Sequence, residues 1–211
     1  MENPIIIFGA KGLGKVALDI FKSNGVVIYG FLDDDKNLQG QEIDEVLVMS
    51  NTEDEAYLKI LGKKCEAFIA LDDNRLKKSL VKNLVEHYKT MPVNAIHKSA
   101  LVADTAILGH GNLLAAGAIV NSFAKIGNHC ILNSKALVDY EAELGDFVQV
   151  GAGAMVGAGA KIGESTFLGA GVIVVSGIII GKNARVGAGS LVMQNVADNE
   201  TVFGVPAQKV K

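Results

Sequence analysis

The chain has 211 residues with 20 Lys/Arg against 23 Asp/Glu, and a net charge of -3 excludes a nucleic-acid binder held by a broad basic surface. No apolar run approaches the roughly 20 residues of a membrane span, and the start, MENPIIIFGAKGLG, has no basic stretch ahead of a long apolar run and a small-residue cleavage site, so no secretory signal is expected. Cys65 and Cys130 are far apart in the chain, which fits free thiols in a reducing cytoplasm and not a disulfide or zinc scaffold.

Composition divides the chain near residue 92. Residues 1–92 hold 27 charged side chains and 7 Gly, residues 93–211 hold 16 and 17, so two architectures are expected: 1–92 and 93–211. In the first block, residues 5–8 read as a buried strand. The turn Gly9-Ala10-Lys11-Gly12-Leu13-Gly14 follows, then a helical stretch over 15–23 and a second strand over 26–32 that ends in Asp33-Asp34-Asp35. Another short apolar run spans 65–71. Leu76, Leu80, Leu84 and Tyr88, with Val81 and Val85, mark an amphipathic helix. Strand, glycine turn, helix, strand is the start of a Rossmann-like α/β domain, whose ligand site is expected at the C-terminal ends of the strands.

A glycine-rich turn before a helix lets backbone amides approach a phosphate. An acidic residue about 20 positions on can take ribose hydroxyls; Asp33 lies 19 beyond Gly14. The spacing is Gly-x-x-Gly-x-Gly and not the dinucleotide fingerprint Gly-x-Gly-x-x-Gly. Three readings remain open on this spacing: a dinucleotide, a tight turn without ligand, and a nucleotide-linked sugar.

The second block repeats every six residues. From Ile96 through Val102, Leu108 and onward to Val192, all 17 positions in steps of six are Val, Leu or Ile. Small residues such as Ala118, Ala124, Cys130 and Ala136 stand two places earlier, and Gly stands one place later at nine of the 17. A period of six excludes the α-helix. It fits a short strand and a corner, with the anchor and the small residue pointing inward together. The glycines after the anchors are expected to supply the φ > 0 of the corners. Stacked coils then pair into a solenoid.

This block resembles the left-handed parallel β-helix of the hexapeptide-repeat acyltransferases, in which three hexads make one triangular coil, and the tail VFGVPAQKVK resembles their Gly-x-Pro-Ala closing motif. With the first block included, the whole chain resembles the sugar O- and N-acetyltransferases of the sialic-acid and bacillosamine pathways. The resemblance implies acetyl transfer from acetyl-CoA to an amino or hydroxyl group of a nucleotide-linked sugar by a cytoplasmic homotrimer without a metal. It places Lys11, Gly12 and Leu13 against the phosphates or sugar, Asp33 and Asp34 near a uridine-type end, and Asp72 close by. Gln149, Ala170 and Ala188 match the family's contacts to acetyl-CoA.

The chain departs from the family at the base. The family places a His-Asp/Glu pair after a hexad anchor; here the stretch is Val138-Asp139-Tyr140-Glu141, so the catalytic positions fall on Tyr140 and Glu141. A second family histidine corresponds to Gln149, and the usual histidine of the first turn to Leu13. A free tyrosine titrates near ~10 and histidine near ~6.5, so tyrosine is the weaker base at pH 7. Three outcomes follow: Tyr140 orients an amine that loses its proton otherwise, another residue is the base, or the chain binds without turnover. Of the four histidines, His87 is read as a surface residue, His97 as a structural corner, and His110 and His129 as solvated corners.

Overall fold

The computed structural model describes residues 3–210, and the chain forms two compact units, 1–98 and 99–211. The first unit contains, in order, β1 (Ile5–Phe8), α1 (Leu13–Ser23), β2 (Ile28–Leu32), β3 (Glu42–Ile43), β4 (Val46–Ser50), α2 (Glu55–Leu58), β5 (Glu66–Ile69) and α3 (Asn74–Tyr88). The sheet order is β3-β4-β2-β1-β5. β1, β2, β4 and β5 run parallel, and β3 pairs antiparallel with β4. All four residues of β1 are buried, as a central parallel strand covered on both faces must be. Each such side chain contributes about 1.5–3 kcal/mol through removal from water. The strand order reverses between β1 and β5, so the Rossmann-like expectation for the ligand crevice applies at those strand ends.

Two of the three glycines of the first turn answer a packing demand, and the third a positive φ. Gly9 has φ +99, and a Cβ there would stand 2.9 Å from the Ala70 carbonyl oxygen in the loop after β5. Gly12 precedes α1 at φ +30. A Cβ on Gly14 would lie 2.1 Å from the Gly9 carbonyl oxygen, so only glycine lets α1 start against the end of β1. Asp73 caps α3 by accepting the amides of Arg75 and Leu76 at 2.8 and 3.0 Å.

The hairpin β3–β4 has no glycine signal in the sequence. Its two-residue turn is Asp44-Glu45, at φ +46 and +65. Lys22 of α1 holds the turn by donating to the Asp44 carbonyl at 2.7 Å and to its carboxylate at 2.5 Å.

The second unit is a left-handed parallel β-helix built from two-residue strands on three faces. The first face stacks Leu101–Val102, Ile119–Val120, Leu137–Val138, Met155–Val156, Ile173–Val174 and Leu191–Val192. The second stacks Ile107–Leu108, Lys125–Ile126, Glu143–Leu144, Lys161–Ile162 and Ile179–Ile180. The third stacks Leu113–Leu114, Ile131–Leu132, Gln149–Val150, Phe167–Leu168, Arg185–Val186 and Thr201–Gly204, where Ala207–Lys209 folds back as an antiparallel cap. Anchors such as Leu132, Val138, Val150 and Leu168 are fully buried, and so are the small residues Ala136, Ala142 and Ala154 two places before an anchor.

The corners differ from the expectation. Glycines one place after the anchor do not have positive φ. They are glycine because coils approach closely: a Cβ on Gly151 would lie 2.5 Å from the Ala170 nitrogen, and one on Gly169 2.6 Å from the Ala188 nitrogen. The left-handed residue stands three places after the anchor, where Phe123, His129, Lys135, Glu141, Phe147 and Ser165 all have φ of 57 to 61. Their amides bond to the previous coil, as in His129 to His110 at 2.7 Å and Glu141 to Ser122 at 3.0 Å. That bond between coils overrides the cost of the conformation, so the position accepts side chains.

Candidate functional site

At the C-terminal ends of β1, β2, β4 and β5 the first unit has a cavity of about 420 Å³. Lys11, Gly12, Leu13, Asp33, Asp34 and Asp72, the six residues implied for sugar-nucleotide binding, all line it. Thr52 and Glu53, in the loop after β4, also line it, as do Leu71, Leu76, Ser79 and Leu80 on the side of β5 and α3. The sequence reading missed this second group. Thr52 and Glu53 follow β4, a strand absent from the sequence reading, and Leu76 and Leu80 enter that reading only as part of the spacing of an amphipathic helix. Leu84 alone of that helical set is fully buried, while Leu76 is 52% exposed.

The three aspartates after β2 take three different partners. Asp33 accepts the Ala10 amide through Oδ2 and the Asp35 amide through Oδ1, each at 2.8 Å. Asp34 Oδ1 accepts both the amide and the hydroxyl of Thr52 at 2.9 Å. Asp35 Oδ2 pairs with the Lys11 ammonium at 2.6 Å. That bond raises the pKa of Lys11 and, with the Asn37 amide, lowers that of Asp35. The amides of Gly12 and Leu13 at the first turn of α1 have no acceptor among the described residues, and such amides are suited to an anion.

In the second unit, Tyr140 and Glu141 occupy a corner after the first face. Tyr140 is 55% exposed. Its amide donates to Asp139 Oδ1 at 2.8 Å, and Asn121 Nδ2 holds the same oxygen at 2.8 Å, so the backbone beneath the phenol is fixed. Glu141 has the left-handed conformation, φ +57.

Gln149 is half-buried on the outer side of the third face, in register with Phe167, and Arg185 lies over the Phe167 ring at 5.0 Å. Ala170 and Ala188 are exposed at the corner that follows that face. At the corner after the second face, the equivalent amides are capped by a side chain of the next coil, as where Asn128 takes the His110 amide and Asp146 that of Asn128. The amides of Ala170 and Ala188 have no acceptor among the described residues. Tyr140 is on a different corner from both of these sets.

His129 is not a solvated corner residue. It is 4% exposed, packed over Gly111 and stacked on Phe147 at 5.0 Å; a Cβ on Gly111 would reach 2.2 Å from its ring nitrogen. His110, one coil below, is exposed. Among the described residues no group of three His, Cys, Asp or Glu is placed to hold a metal ion, and no helix is long and apolar enough to cross a membrane.

Residues 4–84 match the family model of the PglD N-terminal domain, and residues 159–194 match that of the bacterial transferase hexapeptide (six repeats). Among solved structures, the chain is similar to a histidine variant of GDP-perosamine N-acetyltransferase from Caulobacter crescentus in complex with CoA and GDP-perosamine. The identity is 31% with a TM-score of 0.92, over 100% of this chain and 98% of that one. It is also similar to the acetyltransferase domain of PglB from Neisseria gonorrhoeae in complex with acetyl coenzyme A, at 27% identity and a TM-score of 0.92 over 100% of both chains. WeeI from Acinetobacter baumannii shares the fold at 23% identity and a TM-score of 0.81, over 99% of this chain and 100% of that one. With both units matched in order along their full length, the chain belongs to the hexapeptide-repeat sugar acetyltransferases.

Proposed function

We propose that the chain transfers the acetyl group of acetyl-CoA to an amino group of a nucleotide-linked sugar, as a cytoplasmic homotrimer. The observation that carries this reading is the full-length match to an N-acetyltransferase solved with CoA and a nucleotide-linked amino sugar. Residues 1–92 hold the nucleotide-linked sugar. The Gly12 and Leu13 amides and Lys11 meet the diphosphate, Asp33 and Asp34 the nucleoside, and Asp72 the opposite wall. Residues 93–211 hold the acyl donor. The open amides of Ala170 and Ala188 donate to the carbonyls of the pantetheine arm, and Gln149 lies near the thioester.

In the transfer, the neutral amine attacks the thioester carbonyl. The C–N bond forms, the C–S bond breaks, and the proton lost by nitrogen ends on the departing thiolate or in water. Tyr140 orients the amine through its hydroxyl, and Glu141 adds negative charge beside the nitrogen as it becomes positive. Phenol and carboxylate replace the general base at this corner. A positioned base is typically worth ~10²–10⁴-fold, so a slower enzyme than a histidine-bearing relative is expected.

The outward residues of the first face support the trimer. Leu101, Ile119, Leu137, Met155, Ile173 and Leu191 stand in register and are all apolar. On the second face the outward residues include Lys125, Glu143 and Lys161, tied into an ion-pair ladder at 3.2 and 3.6 Å. A continuous apolar stripe beside a charged face is the pattern of a surface covered by copies of the same chain. Cys65 and Cys130 are buried and not joined in a disulfide, which accords with a reducing compartment.

The test is release of CoA thiol with a panel of nucleotide-linked amino sugars, with the product mass read directly. An increase of one acetyl group is expected for one member. Acetyl-CoA bound without turnover on any of them would show a binding homologue instead.

A further inference from the structure

Resting on the nucleotide-sugar reading of the crevice, we infer that Glu53 selects a guanine base, so that the accepted substrate is a guanosine-diphosphate sugar and not the uridine-type ligand expected from the sequence. The order of strand ends across the crevice fixes the direction of the ligand. The loop after β1 supplies the Gly12 and Leu13 amides and Lys11 for a diphosphate. Asp33, at the end of β2, is placed for the ribose. The next strand end outward is that of β4, where Thr52 and Glu53 line the same cavity. From β1 to β4 is two strand spacings, about 10 Å, which matches the reach from a 5′-phosphate to the hydrogen-bonding edge of its base.

Of the carboxylates in the crevice, Glu53 is the one suited to read that edge. Both oxygens of Asp33 already accept backbone amides. Asp34 Oδ1 accepts two donors from Thr52. Asp72 lies on the opposite wall, after β5. The Glu53 amide donates to Asn51 Oδ1 at 2.9 Å, which fixes its backbone, while its side chain has no hydrogen bond or ion pair among the described residues.

A carboxylate only accepts hydrogen bonds, and it accepts two side by side most favourably. Guanine presents N1–H and the N2 amino group next to each other. Uracil presents one N–H between two carbonyl oxygens, which a carboxylate repels. Adenine and cytosine each pair an amino donor with an acceptor nitrogen. Guanine therefore fits a carboxylate with two open oxygens better than the other common bases do.

The experiment is calorimetric titration of the full chain and its Glu53→Gln variant with GDP, UDP and inosine diphosphate, which is GDP without the N2 amino group. Glu53 is exposed, so the variant is expected to fold, and its melting temperature is checked alongside. The wild type is expected to bind GDP about 10- to 100-fold more tightly than UDP, with inosine diphosphate between them. Glu53→Gln is expected to lower GDP affinity about 10-fold and to remove the advantage of GDP over inosine diphosphate. UDP binding as tightly as GDP would overturn the guanine assignment and leave the nucleotide reading standing. A GDP preference unchanged in Glu53→Gln would remove Glu53 from the base site. Binding of none of the three would overturn this inference and the nucleotide reading together.

Discussion

The carboxylate of Asp33 accepts the amide of Ala10 at 2.8 Å, so the residue proposed to meet the nucleoside also ties the end of β2 to the glycine turn. Ala10 is buried, and its amide would otherwise lack a partner. Asp33→Ala is therefore expected to destabilise the fold by about 1–3 kcal/mol as well as to weaken nucleotide binding. Asp33→Asn keeps one acceptor and should recover most of the stability. Denaturant titration of both variants checks this, and an unchanged midpoint for Asp33→Ala would show that the Ala10 bond contributes nothing.

The Lys11–Asp35 pair sets a second expectation. The lysine proposed to meet the diphosphate is held by a carboxylate at 2.6 Å. Asp35→Asn removes that competing charge, so the Lys11 ammonium is left to attract a phosphate alone. Affinity for the nucleoside diphosphate should rise at pH 7. In the wild type the pairing itself depends on pH. The Asp35 pKa is lowered by the bond to Lys11, so the pairing persists through the usual carboxylate range and is lost only as pH falls through the lowered folded value. Titrations at stepped pH read this out.

Coil packing predicts unequal sensitivities at two glycines two residues apart. Gly153 has φ +65 with nothing within 4 Å of an added Cβ, whereas a Cβ on Gly151 would enter the backbone of the next coil at 2.5 Å. Gly153→Ala is expected to cost about 1–2 kcal/mol, the penalty of a left-handed alanine. Gly151→Ala should cost about 3 kcal/mol or more, because neighbouring coils must part. Comparable losses at both sites, measured by thermal unfolding, would refute the close-approach account of the glycines after the anchors.

Substitutions at Tyr140 separate the roles open to its corner. Tyr140→His should raise kcat for an accepted amino sugar by about 10-fold or more if the geometry suits a base. Tyr140→Phe removes only the hydroxyl, and a fall in kcat with little change in KM is expected if the phenol orients the nucleophile. An active Tyr140→Phe variant with wild-type constants would move the chemistry to another residue, with His110, which is exposed on the solenoid, to test next.

Much of this was legible because it rests on local repetition. Seventeen aliphatic anchors at a strict period of six can be satisfied by few structures other than a coiled solenoid, and the glycine turn followed by Asp33 marks a strand-end crevice. What escaped notice depends on contacts distant in sequence. The β3–β4 hairpin turns on Asp44-Glu45, which has no turn signature until Lys22 of α1 is brought against it. The left-handed corner lies two places beyond the glycine that follows the anchor, because that glycine answers crowding by the next coil, while Phe123, Lys135 and Glu141 take positive φ under the pull of a bond to the previous one. The burial of His129 depends on Gly111 and Phe147, one coil to either side: the hexad pattern places them as neighbours but does not say that a glycine leaves room for the ring and a phenylalanine covers it.

The pairing of residue i with i+18 on every face of the solenoid limits how this half of the chain can change length. One inserted residue would turn later anchors outward until the phase was recovered, whereas gain or loss of a whole coil leaves every anchor in place. The distance from the Tyr140 corner to the closing hairpin therefore changes only in steps of about 4.8 Å. A lineage that needed a longer or shorter groove for its acyl donor would reach it by adding or deleting eighteen residues at a time, with the chemistry of the corner untouched.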